Sequence, residues 1–301
     1  MSLKNKRVLL TGGSGFLGRN LIQKLQAEGA YVTNIGRRDV LEGVHNYVAD
    51  LCKTDFSFID GMDINYAIHL AAFSSPRRSV NEDETMKLNF DSTQKFFEAL
   101  SRKNLKKVIF MSSAAIYEPD PRNISEEFLL NKNPGFYALS KIKAEEACSR
   151  LQKNGLPIIT FRMSNSYGPY QQWKEEEIPT IIPQWISQAL INKEITILNE
   201  SSVRDYIYVS DVCEIITKAL DKDYNGVLNL GTGIGTSAGE IANILSNLTG
   251  ARVNYSKNMP REDRIVLDVS KMESVLDWKP GVSIKEGLSR TVDYYKQVIK
   301  I

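Results

Sequence analysis

Residues 7–18, RVLLTGGSGFLG, join a short apolar run to a glycine-rich turn and the start of an amphipathic segment. Gly13, Gly15 and Gly18 fit the pattern G-x-G-x-x-G. Gly12 adds a second pattern, G-x-x-G-x-x-G. A backbone without Cβ can turn sharply and approach a pyrophosphate at a helix N-terminus. Because the turn follows a strand-like run and precedes a helix-like segment, it predicts a dinucleotide site.

Strand-like and helix-like segments alternate through the first half of the chain. The predicted strands are 7–11, 31–35, 66–70, 107–111 and 157–163, and the predicted helices are 16–28, 85–103 and 137–154. This alternation predicts an α/β fold of Rossmann type, a doubly wound parallel sheet with helices on both faces. The later predictions are strands at 204–212 and 227–231 and helices at 239–249 and 284–299.

The change of pattern after about residue 165 indicates two regions. We expect a dinucleotide-binding domain over 1–165, with a return segment near 203–227. A smaller mixed α/β region over 166–301 is expected to bind the substrate.

Composition argues against several classes of function. The 38 basic and 36 acidic side chains nearly cancel, which indicates neither a nucleic-acid nor a membrane partner. No apolar run approaches the roughly 18 residues of a membrane span, and the N-terminus lacks a signal-peptide core. Three scattered cysteines favour a reducing compartment, so we expect a cytoplasmic protein. His69 lies inside an apolar strand end (HLAA) and His45 is isolated, so neither suits a triad or a metal cluster, and no metal is expected.

A tyrosine and a lysine four residues apart, Tyr137 and Lys141, are the leading candidates for chemistry. Positions i and i+4 share a helix face, and a nearby ammonium favours a phenolate. We therefore expect Lys141 to lower the pKa of Tyr137; the alternative is a surface pair. Ser113 ends an apolar strand, where it could donate to a substrate oxygen. The alternative, for both Ser112 and Ser113, is that the serine at the end of the strand only forms hydrogen bonds to the backbone.

Together these residues resemble the extended short-chain dehydrogenase/reductase family, which acts mainly on nucleotide-activated sugars. The matching segments are TGGSGFLG (11–18), DL (50–51), HLAA (69–72), Asn89, MSSAAIY (111–117), YALSK (137–141), FRMSNSYGP (161–169), VRDYIYVSD (203–211) and the segment 260–278.

The resemblance implies roles for individual residues. The implied catalytic residues are Ser113, Tyr137 and Lys141. The implied cofactor contacts are Gly12, Gly15, Phe16, Leu17, Gly18, Asp50, Leu51, Leu70, Ala71, Ala72, Tyr137 and Lys141. The implied substrate contacts are Ser113, Asn165, Arg204 and Arg261, with Asp263 as the alternative to Arg261. The loop 73–79 follows the fourth strand, so we expect Ser75 and Arg78 to line the phosphate side of the cleft; the alternatives are a contact from Ser79 and a solvated basic loop.

The resemblance also implies a homodimer built from the helices near 85–103 and 137–154. The apolar residues expected at that interface are Phe96, Phe97, Ala144 and Ala147.

The end of the second strand departs from the family pattern. An acidic residue usually stands there to bind the NAD ribose, but this chain has Gly36 followed by Arg37 and Arg38. Glycine removes a carboxylate that would repel a 2′-phosphate, and guanidinium groups bind phosphate. We therefore expect NADP(H), contacted by Arg37 and Arg38. The alternative is NAD, with Asp39 on the ribose and a solvated arginine pair.

A second departure concerns the reaction. Family dehydratases carry a carboxylate pair after the catalytic serine, where this chain has Ala114 and Ala115. Methyl groups cannot move protons, so dehydration by that route is disfavoured. The expected function is an NADP(H)-dependent reductase of a nucleotide-linked 4-keto-6-deoxysugar. The alternatives are a nucleotide-sugar 4-epimerase and a non-catalytic NADP(H)-binding protein.

Overall fold

The structure is a computed structural model that describes residues 2–73, 81–173, 180–255 and 263–300. The strands are β1 (Arg7–Thr11), β2 (Tyr31–Gly36), β3 (His45–Val48), β4 (Tyr66–His69), β5 (Lys107–Ser113), β6 (Ile158–Met163), β7 (Asn165–Tyr167), β8 (Glu194–Ile197), β9 (Val203–Tyr208), β10 (Gly226–Leu230), β11 (Gly235–Ser237), β12 (Arg252–Tyr255) and β13 (Arg264–Ile265). The helices are α1 (Phe16–Ala27), α2 (Glu82–Met86), α3 (Ser92–Leu100), α4 (Phe136–Lys153), α5 (Ile181–Ile191), α6 (Val209–Ala219), α7 (Ala238–Thr249), α8 (Ser270–Leu276) and α9 (Ile284–Ile299).

Seven strands form the main sheet, in the order β10-β6-β5-β4-β1-β2-β3. Every pairing in it is parallel, which confirms the predicted Rossmann-type architecture. Because parallel strands share one direction, the C-terminal ends of β1, β4, β5 and β6 lie along one edge of the sheet. That edge carries the glycine turn and the segments that follow the other three strands.

Helices cover both faces of this sheet. Successive side chains of a strand point to opposite faces, and Val8 and Leu10 enter one core cluster while Leu9 enters the other. The first cluster receives the apolar sides of α1 and α6, and the second receives those of α3 and α4.

The apolar residues expected at a dimer interface lie inside this protein. Phe96, Phe97 and Ala144 belong to the second core cluster, and Ala147 is also buried. Their apolar character is therefore explained by packing against the sheet, and the expectation that they form an intersubunit surface is wrong.

Two predicted elements differ from the structure in type or in continuity. The strand expected over 204–212 ends at Tyr208, and α6 begins at Val209. The β-branched residues of this segment resemble a strand, but their spacing places an apolar helix face on the core. The helix expected over 85–103 is a run of α2, a π-helical turn at Lys87–Asp91 and α3. The short, half-polar β3 was not predicted.

The second half of the chain adds a smaller layer beside the sheet edge. Strand β9 pairs in parallel with β7 and β13 and antiparallel with β11, while β8 pairs with β12. Helices α5, α7 and α9 close a third apolar core against these strands. The chain also returns to the main sheet, since β10 pairs with β6.

Candidate active site

The glycines of the first turn do not share one role. A Cβ on Gly12, whose φ is +79°, would lie 2.7 Å from the Ala71 nitrogen. A Cβ on Gly18 would lie 2.2 Å from the Gly12 carbonyl oxygen, and one on Gly13 would lie 2.5 Å from Asn34 Oδ1. Only 3.2 Å separates a Cβ on Gly15 from its nearest neighbour, the Gly12 oxygen, but nothing else lies within 4 Å. Close packing therefore requires glycine at positions 12, 13 and 18, while Gly15 leaves open space beside the turn.

That open space lies at the N-terminus of α1. Gly15 is the N-cap, no side chain among the described residues caps the helix, and its first turn contains no acidic residue. The first backbone N–H groups of a helix have no intrahelical partner, and they carry the positive end of the helix dipole. The turn therefore fits a dinucleotide pyrophosphate, which Gly15, Phe16 and Leu17 would hold through backbone N–H groups.

We expect Gly15→Ala and Gly18→Ala to separate binding from folding. Gly15 has φ −77° and ψ 173°, which alanine adopts freely, so Gly15→Ala should fold normally and bind the dinucleotide roughly tenfold more weakly. Gly18→Ala forces a methyl group into backbone and should lower the free energy of unfolding by about 1–3 kcal/mol. Urea unfolding and cofactor titration measure the two effects. Equal loss of stability in both variants would contradict the assignment.

A histidine ties this turn to the next strand. The Thr93 hydroxyl donates to the Asn89 carbonyl oxygen at 2.8 Å, so its oxygen accepts from His69 Nε2 at 2.8 Å. His69 Nδ1 then accepts from the Thr11 hydroxyl at 2.7 Å, and the Ala71 N–H donates to Thr11 Oγ1 at 3.3 Å. Burial and, to a smaller extent, the Lys141 ammonium together lower the pKa of His69 to about 3, so the ring is neutral. Both ring nitrogens thus serve to join β1, β4 and α3.

The π-helical turn places Asn89 beside the catalytic helix. Its amide oxygen accepts from the Phe73 N–H at 2.7 Å, and its amide nitrogen donates to the Ser140 hydroxyl at 3.0 Å. Ser140 in turn donates to the Tyr137 carbonyl oxygen at 2.7 Å. Asn89 therefore connects the segment after β4 to the first turn of α4.

The structure brings together the three residues predicted to be catalytic. Ser113 ends β5, and its hydroxyl is hydrogen-bonded to the phenol of buried Tyr137. The Ser113 oxygen also accepts from the Ala115 N–H at 3.2 Å. Lys141, one turn along α4, is buried and donates to the Met111 carbonyl oxygen at 2.8 Å. A phenol, a hydroxyl and an ammonium thus meet at the C-terminal edge of the sheet.

The pKa shifts of Tyr137 and Lys141 differ from those expected from the sequence. Burial raises the pKa of Tyr137, the Ser113 hydrogen bond lowers it, and Lys141 is not among the causes. Burial lowers the pKa of Lys141 to about 8. The expected lowering by Lys141 is therefore wrong for the protein alone, because the ammonium is bonded to β5 and the phenol to Ser113. Tyr137 is a neutral proton donor at rest.

The residues expected to contact cofactor or substrate occupy varied surroundings. Leu70 and Ala71 lie against Gly12, as expected for a cofactor edge. Asp50 Oδ1 accepts from the Cys52 N–H at 3.0 Å, while Leu51 is buried in the second core cluster. Ala72, the last of the HLAA segment, is half-buried in the same edge.

Arg37 and Arg38 are exposed directly after β2. A Cβ on Gly36 would meet only Asn34 Nδ2, at 3.4 Å. Both guanidinium groups are therefore available to a ligand at the end of this strand.

The substrate side is described in part. Asn165 donates to the Asp205 carbonyl oxygen at 3.4 Å, and Arg204 forms an ion pair with Asp263. The two candidates from distant segments, Arg204 and Asp263, therefore meet. Ser75, Arg78 and Arg261 lie outside the described residues.

Two aspartates of the VRDYIYVSD segment have architectural partners. Buried Asp205 accepts from the N–H groups of Thr232 and Gly233 at 2.9 and 3.0 Å. Asp211 accepts from the N–H groups of Gly281 and Val282 at 3.0 and 2.9 Å. These bonds fix the loops that follow β10 and precede α9.

The family model of the NAD dependent epimerase/dehydratase family matches residues 8–231. The chain belongs to this family. It is an enzyme of the extended short-chain dehydrogenase/reductase type, as the order of the motifs predicts.

Relatives of this epimerase/dehydratase chain match it from end to end. A Methanocaldococcus jannaschii protein with the provisional name UDP-glucose 4-epimerase is 33% identical, covering 96% of this chain and 98% of its own. A UDP-N-acetyl-alpha-D-glucosaminuronate decarboxylase of Bacillus cytotoxicus is 27% identical, with coverage of 97% and 98%. The solved UDP-glucuronic acid 4-epimerase of Bacillus cereus, in complex with UDP-glucuronic acid and NAD, has a TM-score of 0.85 and 28% identity, with coverage of 97% and 99%.

Among the described residues, no helix of this family member is both long and apolar enough to cross a bilayer.

Proposed function

We propose that the protein is a nucleotide-sugar 4-epimerase, with a UDP-hexose as its substrate class. The observation that carries the proposal is the Ser113–Tyr137 hydrogen bond, with the uncharged Ala114 and Ala115 beside it. This arrangement can move one proton at a sugar hydroxyl but offers no carboxylate there for elimination. The names of the relatives, two 4-epimerases and a decarboxylase acting on UDP-sugars, support the substrate class.

The proposed roles follow from the contacts. Ser113 orients the 4-hydroxyl. Tyr137 must first lose its own proton, and as the phenolate it then accepts the proton of the 4-hydroxyl as the C4–H bond breaks. Tyr137 returns the proton to O4 when hydride adds to the opposite face of C4. Lys141 supplies positive charge near the phenolate, which is the form of Tyr137 before the first of these transfers and again after the second. A bound nicotinamide would take the hydride from C4 and give it back.

The sequence favoured a reductase of a 4-keto-6-deoxysugar, and that reaction is now the second candidate. Its support is limited to Gly36, Arg37 and Arg38, which suit a consumed phosphorylated cofactor. The two reactions share Tyr137 but differ in whether the cofactor is used up.

Two assays distinguish the candidates. The protein is incubated with UDP-glucose, UDP-N-acetylglucosamine or UDP-glucuronic acid and catalytic NAD, and inversion at C4 is followed by proton NMR. We expect inversion of at least one substrate without net change in absorbance at 340 nm. Stoichiometric loss of NADPH with a nucleotide-linked 4-keto-6-deoxysugar, and no inversion, would establish the reductase.

The cofactor proposal is NAD, as in the Bacillus cereus neighbour, with NADP(H) as the second candidate. If Arg37 and Arg38 bind a 2′-phosphate, replacing both with alanine should weaken NADP binding about 10–100-fold, the value of a lost charge-assisted contact. NAD binding should change little. Calorimetric titration of both cofactors measures the difference, and equal effects would exclude a phosphate clamp.

The homodimer also remains a proposal. Its support is the family resemblance alone, because Phe96, Phe97, Ala144 and Ala147 are buried within the protein.

A further inference from the structure

A buried ion pair lies directly behind the catalytic helix. The guanidinium of Arg162 on β6 donates to the Glu145 carboxylate from two nitrogens, Nη2 to Oε2 at 2.8 Å and Nε to Oε2 and Oε1 at 3.1 and 3.2 Å. Both side chains are 9% exposed. The Ser112 hydroxyl donates to Oε1 of the same carboxylate. Arg162 also donates to the Tyr117 hydroxyl at 2.8 Å, so the guanidinium is itself held in place.

This carboxylate shares a helix face with the catalytic residues. Tyr137, Lys141 and Glu145 follow one another at intervals of four residues on α4, so their side chains lie in a row. The Lys141 ammonium is buried, donates to the Met111 carbonyl oxygen and lies 5.1 Å from the centre of the Phe110 ring. An ammonium without water needs a compensating negative charge.

The other groups that face Lys141 do not supply such a charge. From β4, His69 is neutral because burial and Lys141 lower its pKa to about 3. From α4, burial raises the pKa of the Cys148 thiol well above its ordinary value, so it too is neutral. From β5, the described contacts are a carbonyl oxygen and an aromatic ring. Glu145 is the carboxylate that raises the pKa of Lys141 against the effect of burial, and its effect is larger than that of Cys148.

We propose that Glu145 is a positioning residue that keeps the Lys141 ammonium charged, with Arg162 and Ser112 holding its carboxylate at the required place. The catalytic part of this inference rests on the proposed function, because Lys141 must be a cation to stabilise the Tyr137 phenolate. The charge state of Lys141 is measurable without any substrate.

The test is a titration of Lys141 by NMR. The full-length protein is labelled with ¹³Cε-lysine, and the Lys141 resonance is assigned by its loss in Lys141→Met. We expect Glu145→Gln to lower the titration midpoint of Lys141 by about one pH unit, with and without saturating NAD. The matched control is Glu146→Gln, the same change at the next residue, where the side chain is exposed and paired with Lys143. It should leave the midpoint unchanged.

A second variant separates this effect from misfolding. Glu145→Gln leaves Arg162 buried without its carboxylate, so Glu145→Gln/Arg162→Gln removes both charges together. Glu145 is among the groups that shift the pKa of Lys141 and Arg162 is not, so the double variant should still show a lowered midpoint. Glu145→Asp keeps the charge and should restore most of the shift.

The outcomes are distinguishable from failure of the proposed function. Two results together would support both the role of Glu145 and the epimerase: a lowered titration midpoint of Lys141, and a decline of kcat at alkaline pH that begins at a correspondingly lower pH. A lowered midpoint in a protein that turns over no UDP-sugar would support the role of Glu145 and contradict the epimerase. An unchanged midpoint in the folded Glu145 variants would overturn the inference whatever the activity.

Discussion

Tyr137→Phe is expected to lower kcat for C4 inversion by about 10³-fold, a typical contribution of a positioned acid–base group. The phenol is buried and bonded to Ser113, and the two residues that follow β5, Ala114 and Ala115, offer no acid–base group that could replace it. Steady-state kinetics and cofactor titration measure the effect. NAD affinity should change by less than about threefold, because the variant loses only one hydroxyl.

The matched control for that variant is Tyr31→Phe. Tyr31 is 63% exposed at the start of β2, at the opposite end of the strand from the site. It should retain full kcat. If Tyr137→Phe also retained kcat, the proton would have to pass through another group, and both the epimerase and the reductase assignments would be wrong.

The second large effect is expected in acid and comes from His69. A buried imidazole whose pKa is about 3 cannot take up the proton that the unfolded chain binds near pH 6.5. The stability that this neutral ring contributes is therefore complete above pH 6.5 and is lost progressively as the pH falls towards 3. Between pH 7 and 5 the loss from this one group should be roughly 2 kcal/mol.

Urea unfolding at pH 7, 6 and 5 tests this expectation. His69→Gln should begin with a lower free energy of unfolding, because the bonds to Thr11 and Thr93 are disturbed. It should then lose about 2 kcal/mol less than the wild type on acidification. The control is His45→Gln, since His45 is the other histidine and lies exposed on β3. Parallel acid losses in the wild type and His69→Gln would contradict the role of the ring.

Local patterns predicted the elements that position the site. The period-two and helical spacings found the strands and helices around the glycine turn, because each is set by burial against one sheet. The same reasoning assigned the first residues of α6 to a strand and did not predict that helix, since β-branched residues suit a strand as well as a buried helix face. It also placed Phe96 and Ala144 on an outer surface, because spacing shows that a face is apolar but not what covers it.

Long-range pairings explain what the sequence did not predict. Glu145 and Arg162 lie 17 residues apart, and Asp211 meets the backbone of Val282 from 71 residues away. No local periodicity encodes such pairs. The effect of Lys141 on Tyr137 was misjudged for a related reason. Helical spacing shows that Tyr137 and Lys141 share a face of α4. The direction in which the Lys141 ammonium points depends on its hydrogen bond to Met111, which lies on β5.

Strand β10 joins the main sheet from late in the sequence, and this affects both folding during synthesis and the choice of fragments that can be produced. Strand β6, buried along Ile158–Arg162, is covered on one side only when β10 arrives from residues 226–230. A fragment ending near residue 165 would present β6 as a long apolar edge, which favours aggregation through strand pairing. During translation that edge stays open until some sixty further residues have left the ribosome, a window in which a chaperone would be most useful. The N-terminal part that carries the glycine turn is therefore not expected to fold as an independent domain.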